Sequence, residues 1–91
     1  MEKELEESWK IIETTEVNCC KTEDEIIEAN EILNKLKNER ITMNIPEILK
    51  EIEKLQKIDI LGVGGNAMQN FRTKDKFINA IEKIKQYYSN K

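Results

Sequence analysis

A chain of 91 residues, of which 38% are hydrophobic and 36% charged, has material for one small core and too little for two. No run reaches the roughly 18 to 20 apolar residues of a membrane span, and MEKELEESWK lacks a basic segment followed by an apolar one, so an intracellular address is expected. The formal charge of −3 is uneven: eleven acids and three bases in residues 1–31, five and six in 32–71, two and six in 72–91.

Such a composition, with one proline and three glycines, predicts an all-α chain: a compact bundle of four to five helices in a single domain over residues 1–91. Leu5, Trp9 and Ile12 recur at i, i+4 and i+7, and Glu2, Glu4, Glu6 and Glu7 suit a helix N-terminus, giving a helix from about Glu2 to Thr15. Trp9 fits that buried stripe by its spacing with Leu5, against the alternative of an exposed partner anchor with Ile11 or Ile12. Thr14, Thr15 and Val17 are β-branched and Asn18 favours turns, which predicts a loop running through Lys21.

Thr22 and Glu25 form a capping-box pattern opening a second helix, with Ile26, Ala29, Ile32, Leu33 and Leu36 inward and an end near Asn38. Ile41 to Ile45 is poor helix material and predicts a turn or a single helical turn, with Met43 as a core filler. Pro46 then suits the first turn of a third helix reaching Lys57, whose stripe is Ile48, Leu49, Ile52 and Leu55. Gly62, Gly64 and Gly65 predict a loop from Ile58 to Gly65, followed by a short helical turn over Asn66–Phe71 with Met68 and Phe71 inward. Thr73 is the expected cap of a last helix with Phe77, Ile81, Ile84 and Tyr88 on its stripe and Ile78 widening it.

Little in this pattern carries reaction chemistry. Histidine is absent, and the adjacent Cys19 and Cys20 supply neither a tetrahedral ligand set nor normal disulfide geometry, so no metal, no cofactor and reduced thiols are expected. A cysteine nucleophile would have no imidazole base, and the carboxylates fall on outward helical faces, so no catalytic residue is assigned and the chain reads as a non-enzyme. LGVGGNA lacks the Gly-Lys-Ser/Thr ending of a phosphate loop and no strand is expected before it, which makes it a connector. The basic last helix, with Arg72, Lys74, Lys76, Lys83 and Lys85, offers a nucleic-acid surface as a minority reading against a solvated face.

Ile58 and Ile60 stand beyond a helix stripe and flank Asp59, where binding and core roles are evenly matched. Around them the segment Ile27-Glu28-Ala29 with Leu33 and Leu36, the Ile41-Thr42-Met43 corner and Ile52 to Ile60 resembles a known helical family. It is the one shared by the N-terminal domain of transcription elongation factor S-II and the integrase-binding domain of lens-epithelium-derived growth factor. The resemblance covers about residues 22–60. In a second register, Gly62 to Ala67 resembles the Ile-Gly-x-x-Val signature of the elongation-factor branch, with Asn70 where a leucine is usual.

The family implies a right-handed bundle that docks short motifs of disordered transcription or chromatin regulators, in the nucleus, through inter-helix loops at one end. Carried over, the peptide-binding residues are Val17 and Asn18 in the first loop and Ile58, Asp59 and Ile60 in the later one, in a monomer. Asn18 replaces the family's charged acceptor and Ile58 its aromatic, so a different ligand is implied. The alternative is a small viral or phage-like regulatory protein acting by dimer helix packing or by nucleic-acid binding through its last helix.

Overall fold

The computed structural model describes residues 2–65 and 71–90. Four helices account for most of them: α1 (Glu2–Glu13), α2 (Glu23–Glu39), α3 (Ile45–Lys57) and α4 (Phe71–Ser89), with one 3-10 turn at Arg40–Thr42. The departure from an all-α bundle is a short antiparallel pair, β1 (Thr15–Cys19) with β2 (Gly62–Gly65). Both segments were expected as loops. The chain is therefore mostly helical, with a two-stranded strap joining the two regions between helices.

Local chemistry explains the helix boundaries. Thr22 Oγ1 accepts from the Glu25 N–H at 3.2 Å, the capping bond anticipated for α2, and Asn44 Oδ1 accepts from the Glu47 N–H at 2.9 Å to open α3, with Pro46 in its first turn. α1 stops at Glu13, short of Thr15, because the hydroxyls of Thr14 and Thr15 bond back to the carbonyls of the last turn and the next residues are needed for β1. α4 begins at Phe71 rather than at a Thr73 cap. The turn expected over Asn66–Phe71, with Met68, falls outside the described residues up to position 70.

Packing follows the predicted stripes. Trp9 and Ile12 of α1, Ala29, Ile32, Leu33 and Leu36 of α2, Ile48, Ile52 and Leu55 of α3, and Phe77, Ile81 and Ile84 of α4 form one buried cluster. α1 lies chiefly against α4, and α2 pairs with α3. Met43 is half-buried against the cluster, whereas Ile41 at the corner is exposed. Trp9 meets Tyr88 edge-on at 6.5 Å between ring centroids, and the Arg40 guanidinium sits 4.5 Å from the centre of its ring, tying the corner after α2 to α1. The radius of gyration, 12.4 Å, is close to the roughly 12 Å expected of a compact chain this long.

Candidate functional site: the end of α3 and its groove

α3 ends where the Ile58 N–H bonds to the Leu55 carbonyl at 3.2 Å, and the chain leaves in extended form through Ile58, Asp59 and Ile60 into β2. Glycine makes the next step feasible. A Cβ on Gly62 would lie 3.1 Å from both Asn18 Oδ1 and Cys19 Cβ, so a side chain there would push the strands apart. The Leu61 N–H donates to the Cys19 carbonyl at 2.8 Å, and Lys21 pairs with Asp59 at 3.5 Å. The two loops linked by the family resemblance are thus neighbours, held together by strand pairing.

The five sequence-assigned residues do not share one surface. Ile58, Asp59 and Ile60 line a groove of about 440 Å³, whose opposite wall is α4 with Ile78 and Ile81. Ile58 and Ile60 form its floor at 9% and 8% exposure, so they serve the core and the groove at once. Lys74, Glu82 and Gln56 stand at the rim, and Lys85 Nζ donates to Gln56 Oε1 at 3.2 Å, bracing α4 against α3. Val17, in contrast, points into the core at 2% exposure, and Asn18 is exposed at the irregularity in β1 between Val17 and Cys19. Neither lines the groove.

Ile78 and Lys74 also line the groove, although the sequence pattern marks Ile78 only as widening the last helix's stripe and Lys74 only as one of its bases. Ile78, 38% exposed, carries the apolar surface of the groove outward. Ile78 gave a signal, since it widens the stripe of α4 beyond the width one neighbour covers. Lys74 gave none, being one of several bases on that helix.

β1 is closed on its other side by α2. Asn30 acts as a surrogate strand: its Oδ1 accepts from the Val17 N–H at 2.9 Å and its Nδ2 donates to the Val17 carbonyl at 2.8 Å. Lys37 Nζ donates to the Thr15 carbonyl at 3.0 Å. The Val17 N–H and carbonyl and the Thr15 carbonyl are therefore met on that edge without a third strand.

Other surface features offer less to a ligand. A depression of about 510 Å³ between α2 and α3 has Glu28, Glu31, Lys35, Glu51 and Lys54 around Ile32. Its centre is the buried carboxylate of Glu51, 3.3 Å from Lys54 and 3.8 Å from Lys35, an ion cluster that a ligand would have to open. The Cys20 thiol is pushed above its ordinary value by burial, then by Glu25, Cys19 and Asp59, against a lowering contribution from the Leu61 backbone. That shift disfavours a thiolate nucleophile. Among the described residues no cluster of three potential metal ligands occurs, and no helix is long and apolar enough to cross a membrane. Comparison of the chain with protein-family models, curated proteins and solved structures gave no match.

Proposed function

We propose that this chain is a non-enzymatic docking module that takes a short linear motif of a disordered partner into the groove between the end of α3 and α4. One observation carries the reading: Ile58, Asp59 and Ile60 line a groove of about 440 Å³ with Ile78 and Ile81. That volume lies in the range of small-ligand and side-chain pockets. An apolar floor with a few polar rim groups suits an anchor side chain of a peptide, with affinity from its desolvation. The resemblance to transcription-factor docking domains supports partners among transcription or chromatin regulators and a nuclear setting. Val17 contributes as support for the floor, and Asn18 as a neighbouring polar group.

The alternative through the basic last helix has less support. α1, with its acidic first turns, packs on α4, and Glu4 and Lys83 line the same small pocket of about 120 Å³. Acidic charge beside those lysines weakens the attraction for phosphate.

The test is titration of Ile-methyl-labelled protein with a panel of capped heptapeptides alternating Ile, Val or Phe with Asp or Thr. Saturable shifts at Ile60 and Ile78, lost in Ile78→Glu with the fold retained, are expected. Absence of any shift at millimolar peptide would refute the groove as the docking site.

A further inference from the structure

The polar groups around the groove are not equally engaged. Asp59 is paired with Lys21 at 3.5 Å, and Gln56 accepts from the Lys85 ammonium at 3.2 Å. Lys74 and Glu82 line the same groove, and among the described residues neither forms an ion pair or a side-chain hydrogen bond. Both lie on the stripe of α4 that makes the groove wall, four positions before and four after Ile78. The wall therefore runs from a cation, through a partly exposed isoleucine, to a carboxylate. Along the helix axis its two charged ends are about 12 Å apart.

An extended peptide matches this order of groups. Its residues i, i+2 and i+4 share one side and span about 13 Å. We infer that the docked motif is extended and bipolar: an acidic side chain for Lys74, an apolar anchor two residues along for the groove, and a basic side chain two residues further for Glu82. The inference rests on the peptide-docking reading above and names the residue classes of the motif. Either chain direction satisfies it, because reversing an extended segment exchanges its ends. A motif with like charges at both ends leaves one rim group facing its own sign, so the rim selects among partners that share the same anchor.

The shape of the groove favours a peptide over a second copy. The same stripe of a second α4, laid antiparallel, would set Lys74 against Glu82 twice and bring Ile78 onto Ile78. That arrangement inserts no side chain above Ile58 and Ile60, so the groove of about 440 Å³ would stay unfilled beneath it. Interface cores are packed as densely as protein interiors, and an inserted anchor meets that requirement where two facing helices do not.

The test uses the full chain, methyl-labelled at isoleucine, and four capped heptapeptides. The first is Ser-Asp-Ser-Ile-Ser-Lys-Ser, and the others carry Asp twice, Lys twice or Ser twice at its two charged positions. At low ionic strength the bipolar peptide is expected to bind at least about fivefold tighter than the other three, an advantage that fades in roughly 0.5 M salt. Lys74→Glu is expected to transfer the preference to the Lys/Lys peptide and Glu82→Lys to the Asp/Asp peptide, each with the urea midpoint of the wild type. Shifts at Ile60 and Ile78 with equal affinity for all four peptides would overturn the bipolar motif and leave the groove reading standing. No shift with any peptide would overturn both. A preference that neither charge reversal moves would belong to other groups and overturn the assignment to Lys74 and Glu82. An Ile78 shift that grows with protein concentration in the absence of peptide would assign the face to a second copy, and overturn the proposal.

Discussion

Replacing Asn30 by alanine removes the two bonds that close β1, and its cost can be worked from the geometry. The Val17 N–H and carbonyl are met at 2.9 and 2.8 Å, and the Val17 side chain is buried, so water reaches the vacated backbone groups poorly. Two neutral hydrogen bonds at about 1 kcal/mol each give a loss of about 2 kcal/mol, rising toward about 3 if one backbone group stays unsatisfied. For a domain of this size that corresponds to a fall in Tm of roughly 10 °C. Asn30→Asp keeps the acceptor for the N–H but sets a carboxylate against the Val17 carbonyl, so it is expected to cost at least as much at neutral pH. The measurement is urea unfolding of wild type and both variants, with amide exchange at Val17 as the local readout. A loss under about 0.5 kcal/mol for Asn30→Ala, with Val17 still protected, would refute the role of Asn30 as a surrogate strand.

Two further outcomes follow from the same structure. Replacing Lys35 and Lys54 together by methionine strands the buried Glu51 carboxylate, with an expected loss of about 1 to 2 kcal/mol after allowance for the exposure of both lysines; Glu51→Met, which removes the charge itself, is expected to cost less in the same urea titration. Because the Cys20 thiol is held above its ordinary value in the fold, its iodoacetamide modification is expected to rise at higher pH in the native protein than in the urea-unfolded chain. The sign on stability is set by the same shift: the unfolded chain loses its proton first, so this group's contribution is full below the unfolded value and declines as pH rises through it. Peptide mapping of the alkylated residue across pH checks both the order and the direction.

The helices were legible because each carries its own evidence. Leu33 and Leu36, Ile52 and Leu55, and Phe77, Ile81 and Ile84 recur at helical spacing, and all are buried as that spacing requires. Thr22 announced a cap through a residue three positions away, and the structure shows the bond from the Glu25 N–H. The groove was half legible. Ile58 and Ile60 could be singled out by their place beyond a helix, but their wall of Ile78 and Ile81 stands on a helix some twenty residues later in the chain.

What the sequence by itself determined was the apolar period of four helices, the Thr22 cap of α2 and the Pro46 start of α3, all properties of residues within a few positions of one another. What only the tertiary structure decided was the sheet. Thr15, Glu16 and Val17 alternate as a strand should, but the run is short, and its partner Gly62-Val63-Gly64-Gly65 has almost no side chains to announce it. The pairing spans about fifty residues of intervening chain, and becomes favourable only when α2 supplies Asn30 and Lys37 to one edge of β1 while the close approach at Gly62 admits β2 to the other. Backbone hydrogen bonds between distant segments leave no periodic trace in the sequence, so the strap exists only once the helices have packed.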